Sequence, residues 1–275
     1  MPAAGGAWCR WLSGMSSRLG GGQTKGTRVT TAQATDLTRH VLSVVGDVKS
    51  GVLLYGSRAR GTSRDDSDVD VLQLVEKSPR SYSVGSLNVT VYTAAHLTNM
   101  AMRGSLFVRH LIDEGIILTD PQGLVATALA AYKEPASYLR LKTELRLILE
   151  AMVKPDAAQY RPVLDNLARF TVRSALYVRT AEFGKPLFDV DTATNAVGLP
   201  HIVDLIRGPI VQDFAELIDV GVRLLDVSLP HEVPSSLRAI TVWSMNRYPL
   251  VFNQLEHAIA GNAQIDYSLL TLPPS

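Results

Sequence analysis

Residues 53–75, LLYGSRARGTSRDDSDVDVLQLV, constrain the fold more than any other part of the chain. Two short apolar runs, GVLLY at 51–55 and VDVLQLV at 69–75, predict two buried strands joined through a Gly-Ser turn and a polar loop. A third run, SLNVTVYT at 86–93, reads the same way, and the polar connection EKSPRSYSVG before it suits a hairpin or a loose loop. Upstream, Leu37, Val41, Leu42 and Val45 recur at helical spacing, so a helix from about Thr31, closed by Gly46, precedes the first strand.

After Ala94 the period changes. AAHLTNMAMRG and SLFVRHLIDEG read as short helices closed by glycine, and IILTD at 116–120 as a brief strand. Beyond Pro121 the pattern is helical, with helices expected near 122–132, 136–152, 160–182, 201–226 and 235–260. The expected fold class is an α/β (α+β) unit with a small mixed sheet over residues 31–120, followed by an all-α helical unit over 121–275. Residues 1–30, broken by Arg10, Ser13 and a glycine-rich stretch, lack the continuous apolar segment of a secretory signal and read as a disordered leader. Met15 is an alternative start, and a short lipid-touching or partner-binding arm is the other reading of this segment.

The charge is nearly balanced, with 27 Lys+Arg against 26 Asp+Glu, which argues against a chain-wide electrostatic footprint for nucleic acid; any basic partner surface must be local. The single Cys9 excludes an internal disulfide and a cysteine zinc cluster, and suits a reducing compartment, the cytoplasm. No apolar stretch approaches the roughly 20 residues that a membrane-spanning helix needs, so no membrane partner is expected.

On a strand, side chains at i and i+2 share a face, so Asp68 and Asp70 project together while Val69 and Val71 face the core. Two adjacent carboxylates repel, and a divalent cation relieves the repulsion; hard oxygen ligands suit Mg²⁺, which commonly also holds substrate phosphates. Upstream, Gly56 permits an unusual backbone angle, and Ser57 offers a hydroxyl beside backbone N–H groups for a phosphate. Taken alone, an Asp-x-Asp is usually a solvated turn and a Gly-Ser after a strand is usually only a turn. In this order they share one logic, a phosphate grip followed by metal ligands.

The constellation resembles the polymerase-beta-like nucleotidyltransferase superfamily, in particular its small bacterial members, whose signature is Gly-Ser followed some ten residues later by Asp-x-Asp. Gly56, Ser57, Gly61, Asp68 and Asp70 fall on the matching positions, with Ser67 opening the second motif and Arg58 and Arg60 in the turn that often approaches the triphosphate. The resemblance implies transfer of a nucleoside monophosphate from an NTP to an acceptor, with pyrophosphate leaving. It implies two Mg²⁺ ions, with Asp68 and Asp70 as ligands and Ser57 on the β- or γ-phosphate.

In that family a third carboxylate usually stands on a neighbouring strand. Here the matching strand offers Asn88, Thr90 and Tyr92, and pattern alignment places Thr90 at the acid's position. Three explanations stay open. The acid comes from Asp113, Glu114 or Glu144; or one metal suffices; or the domain binds nucleotide and transfers weakly or not at all, as a regulator or antitoxin. Asp113 and Glu114 also read as solvated surface, and Glu144 as half of a surface ion pair with Arg140.

In the helical half, Arg169, Arg173 and Tyr177 share one face, with Arg161 and Arg179 nearby; residues 133–185 hold ten Lys+Arg against six Asp+Glu. That face suits the triphosphate or an RNA acceptor. Residues 201–226 are acidic and suit a cationic acceptor such as an aminoglycoside, or simply face water. His110 is a candidate for a supporting role near the site. The acceptor, whether RNA, a protein or a small molecule, and any toxin or antitoxin partner are left open, with a macromolecule in a toxin-antitoxin or defence setting favoured by the arginine face. An Arg109-His110 pair lacks the spacing of a helical nuclease, so the helical half is not read as one.

Overall fold

The computed structural model describes residues 31–46, 51–64, 67–77, 79–208 and 213–261; the expected leader lies outside them. Helix α1 (Thr31–Val45) leads into β1 (Val52–Tyr55), a single-turn helix α2 (Gly56–Arg60) and β2 (Val69–Leu74). Then come β3 (Tyr82–Val84), β4 (Leu87–Tyr92), α3 (Ala94–Met102), α4 (Leu106–Glu114) and β5 (Ile116–Thr119). The sheet runs β3-β4-β2-β1-β5, mixed as expected: β1 is antiparallel to β2 and β5, and β2 is parallel to β4.

The parallel pairing of β2 and β4 explains the polar connection between them. A direct hairpin joins only antiparallel strands. The connection instead contributes β3, a short edge strand that folds back antiparallel on β4, with Tyr82 opposite Val89. That strand is invisible to periodicity because its side chains, unlike those of its neighbours, are largely exposed.

Both sheet faces are covered, which is why the inner strands read as near-continuous apolar runs. Val41 and Val45 of α1 pack on Val52, Leu54, Val69, Val71, Leu87, Val89 and Val91. On the opposite face, Leu53, Leu72 and Leu74 meet Leu97, Met100, Phe107, Val108 and Leu111 from α3 and α4. Asp70, Asn88 and Thr90 belong to this second face, at its open end.

The helical half follows as α5 (Leu124–Ala130), α6 (Leu139–Met152), α7 (Arg161–Glu182), α8 (Val190–Ala196), α9 (Val203–Arg207), α10 (Phe214–Leu225), α11 (Leu237–Ser244) and α12 (Pro249–Ile259). Leu145, Ile148 and Leu149 of α6, Leu164, Phe170 and Leu176 of α7, and Leu217 and Leu225 of α10 lie in one core. The expected helix over 235–260 is two helices, because Pro249 cannot continue the first and starts the second. The helix expected over 201–226 is likewise interrupted, and α8 was not anticipated at all.

Glu144 makes the expected pair with Arg140, but as a buried carboxylate and not on the surface. Its carboxylate is buried, takes a hydrogen bond from Arg140 Nε at 3.1 Å, and accepts the Leu250 backbone N–H at 2.9 Å. It therefore closes the first turn of α12, where N–H groups have no partner within the helix. Burial raises its pKa, while Arg140 and the Leu250 and Val251 N–H groups oppose the rise.

Candidate active site

The chain leaves β1 at Tyr55 and turns at once into α2, with Gly56 at φ +76°. A Cβ at this position would lie 2.7 Å from Asp70 Oδ2, so the glycine is required twice, by its angle and by the carboxylate against it. The pairing of Tyr55 with Asp70 across β1 and β2 produces this contact. The Gly-Ser turn and the second aspartate are thus parts of one site. Gly56→Ala is expected to lower transfer activity more than about tenfold and stability by about 1–3 kcal/mol, read by label transfer and urea unfolding.

Gly61, at φ +71°, ends α2, and Thr62 N–H bonds back to Ser57 carbonyl at 3.0 Å. Arg58 then reaches across the loop and donates to the Ser67 carbonyl, at 2.9 Å from Nη2. The Ser67 hydroxyl accepts the Arg64 N–H at 2.8 Å. These contacts fix the chain immediately before Asp68, so Arg58 and Ser67 shape the loop.

Asp70 carries the clearest electrostatic signature. Burial raises its pKa first, and the nearby Asp68 carboxylate raises it further; His110, Arg173 and a hydrogen bond from Asn88 pull it down. A negative charge held under strain beside another is the condition a bound cation relieves. Arg173 reaches this site from α7, so the helical half faces the carboxylate pair. On the same helix face Tyr177 is half-buried, and desolvation of its hydroxyl pushes its pKa up to about 12. Arg169 Nε is buried without a partner among the described residues. Arg161 and Arg179 are engaged elsewhere, with Asp165 and with Glu182.

On β4 the residue beside Asp70 is Asn88, not Thr90. The parallel register sets Thr90 opposite Leu72, one pair deeper, where it shares a hydrogen bond of 3.1 Å with the Tyr55 hydroxyl. Pattern alone gives the face of a strand and leaves its register open by two residues. Asn88 Oδ1 accepts from Ser83 at 2.8 Å, which leaves its amide N–H for Asp70.

Of the acids considered as a third carboxylate, only Glu114 lies in this neighbourhood. It binds Arg60 Nη1 at 2.5 Å and His110 Nε2 at 2.8 Å. Arg60 continues to Asp189, 3.7 Å away on the approach to α8, and Asp189 meets Arg207 at 3.3 Å. Arg60, read from sequence as a phosphate contact, ties α2 to the helical half. Asp113 instead pairs with Arg109, which also holds Glu134, on an exposed face. Asp189, Arg207 and Phe188 were missed. Only the N-cap spacing of Asp189 before Thr192 marked any of them.

Burial pushes Asp189 upward, but the Thr192 N–H and hydroxyl, with Arg60 and Arg207, outweigh it and hold its carboxyl below the usual range. Its contribution is therefore present above the ordinary aspartate pKa and fades as pH falls through the lowered one. Asp189→Ala is expected to cost about 1 kcal/mol at pH 7 in urea unfolding, with the gap narrowing on acidification.

A family model for the nucleotidyltransferase domain matches residues 39–114, which span α1 through α4 and include every element of the carboxylate site. This unit matches the nucleotidyltransferase domain. Its general role is nucleotidyl transfer, and such domains generally use an NTP and a divalent metal. No curated protein matches the chain. Among solved structures, a nucleotidyltransferase-like protein from Exiguobacterium sibiricum is similar at 15% identity, over 84% of this chain and 89% of that chain, with a TM-score of 0.28. No described helix is long and apolar enough to cross a membrane.

The nucleotidyltransferase site fits one cation well. Asp68 and Asp70 supply adjacent carboxylates, and Gly56 leaves room against Asp70 Oδ2. Among the described residues no group of three His, Cys, Asp or Glu side chains is placed to hold a metal. A second ion that draws on a third acid finds no such ligand beside the pair among the described residues.

Proposed function

We propose that the protein is a Mg²⁺-dependent nucleotidyltransferase that moves a nucleoside monophosphate from an NTP to a hydroxyl acceptor. The observation that supports this reading is the close approach of the Gly56 turn to Asp70, which brings the turn and the carboxylate into one site. Asp68 and Asp70 hold the cation, which when bound neutralises and orients the triphosphate. Ser57 and the backbone N–H groups of its turn take a terminal phosphate. Arg173, with Arg169 beside it on α7, adds positive charge from the helical side. Catalysis then arises mainly from positioning and charge neutralisation.

The arginines on α7 favour a phosphate-bearing macromolecule as acceptor, RNA above protein, in a toxin-antitoxin or defence setting. The acidic residues of 201–226 form exposed positions and helix caps, such as Asp213 on Glu216 N–H, and an aminoglycoside is the alternative acceptor they suit. A second reading, a nucleotide-binding regulator with weak or no transfer, is supported by the neutral Asn88 beside Asp70.

Incubation with each α-labelled NTP and Mg²⁺, with total RNA, cell protein or aminoglycosides, separates these readings. The enzyme reading expects label on an acceptor, lost in Asp68→Ala. Tight NTP binding with no label on any acceptor would instead establish the regulator.

A further inference from the structure

A transferase of this kind needs a group that takes the proton of the attacking hydroxyl. The usual source is a third acid with its second metal ion, and both β4 positions that face the site are neutral and already engaged. Asn88 is held between Ser83 and Asp70, and Thr90 by the Tyr55 hydroxyl.

One imidazole, that of His110, lies at the same end of the sheet, against Tyr55. His110, on α4, lies one turn before Glu114, and its Nε2 is 2.8 Å from Glu114 Oε2. Its ring stacks on Phe188 from the helical half, with centroids 4.6 Å apart and planes at 21°, and meets Tyr55 edge-on at 5.8 Å. The side chain keeps 17% of its surface exposed, so the ring is clamped yet reachable. With Nε2–H donated to Glu114, the neutral ring carries its lone pair on Nδ1. Arg60 binds the same Glu114 oxygen, which fixes the carboxylate in turn. Among the described residues, the other charged or titratable groups of this neighbourhood include Tyr55, Asp68, Asp70, Arg173, Tyr177 and Asp189. The edge-on contact with Tyr55, the register partner of Asp70, places the ring near the carboxylates.

We propose that His110, aimed by Glu114, is the general base of this nucleotidyltransferase and replaces the third acid and its metal ion. The inference rests on the enzyme reading above. As the acceptor oxygen attacks the α-phosphorus, the new O–P bond forms and the bond from the α-phosphorus to the α,β-bridging oxygen breaks. Pyrophosphate leaves with that electron pair. The hydroxyl proton passes to Nδ1 of His110, and the resulting imidazolium is balanced by Glu114 until the proton is released to water. Glu114 is a positioning residue, since it acts through His110.

The test uses the full chain with the α,β-methylene analogues of ATP, GTP, CTP and UTP. Electron paramagnetic resonance counts the Mn²⁺ ions bound with the preferred analogue, and one per chain is expected. Nitrogen NMR of the histidines should show His110 near neutral pH with its proton on Nε2 and none on Nδ1. With the matching NTP, pyrophosphate release to water or to an acceptor should fall about 10²–10⁴-fold in kcat for His110→Gln, with KM for the NTP little changed. The acid limb of the pH profile should disappear in that variant, and in Glu114→Gln it should move to lower pH. Two tightly bound Mn²⁺ ions, a proton on Nδ1, or a wild-type rate and pH profile in His110→Gln would each overturn the inference. If none of the four analogues binds, the nucleotidyltransferase reading itself fails, and that result is distinct from the others.

Discussion

Asp70→Asn is expected to abolish most transfer activity while leaving the fold as stable as before or more so. Burial and the Asp68 carboxylate both disfavour the charged form of Asp70. Removing that charge relieves the repulsion, and the replacing amide oxygen can still accept from Asn88. The sign follows from linkage: a carboxyl whose folded pKa is raised costs the fold stability as pH rises through the unfolded and then the folded value. The gain in melting temperature should therefore be present at neutral pH and vanish on acidification. The transfer rate should drop at least about 10²–10³-fold, the scale on which loss of one charge-stabilising group is felt. Mg²⁺ with NTP should raise the melting temperature of the wild type and leave that of the variant unmoved.

Glu144→Ala should show the opposite pattern, a large loss of stability with the chemistry intact in the molecules that remain folded. Its carboxylate joins Arg140 to the start of α12 from within the helical core. Truncation strands the Leu250 N–H in the core, at a cost of about 1–3 kcal/mol, while Arg140, which is exposed and also donates to the Arg247 carbonyl, keeps a partner. Glu144→Gln keeps the shape and an acceptor oxygen and should cost less than half as much. Urea unfolding measures both, and specific activity per folded molecule should match the wild type. A base role for Glu144 predicts the reverse, a stable fold and a dead enzyme.

The two glutamates show what sequence can and cannot deliver. Glu114 ends a helix before Gly115 and Glu144 stands mid-helix, yet neither local context reveals the carboxylate's distant partner. Their difference is made by partners far away in the chain, Arg60 for one and Leu250 for the other. The carboxylate pair and the glycine turn were legible because their chemistry lies within one strand-loop-strand segment, where period-2 geometry fixes which side chains share a face. The sheet was legible for the same reason, except at β3, whose exposed side chains leave no apolar signature. Asn88 escaped because register across β2 and β4 is a tertiary property. So did the network of Arg60, Asp189 and Arg207, which is assembled from α2, the start of α8 and the end of α9.

The most direct test of the central claim is calorimetric titration of the four NTPs into the wild type and into an Asp68→Ala, Asp70→Ala double variant, with and without Mg²⁺. The account predicts that the wild type binds at least one NTP, that Mg²⁺ strengthens the binding, and that the double variant loses the Mg²⁺-dependent part. Absence of binding by the wild type, or equal Mg²⁺-dependent binding by the double variant, would contradict it.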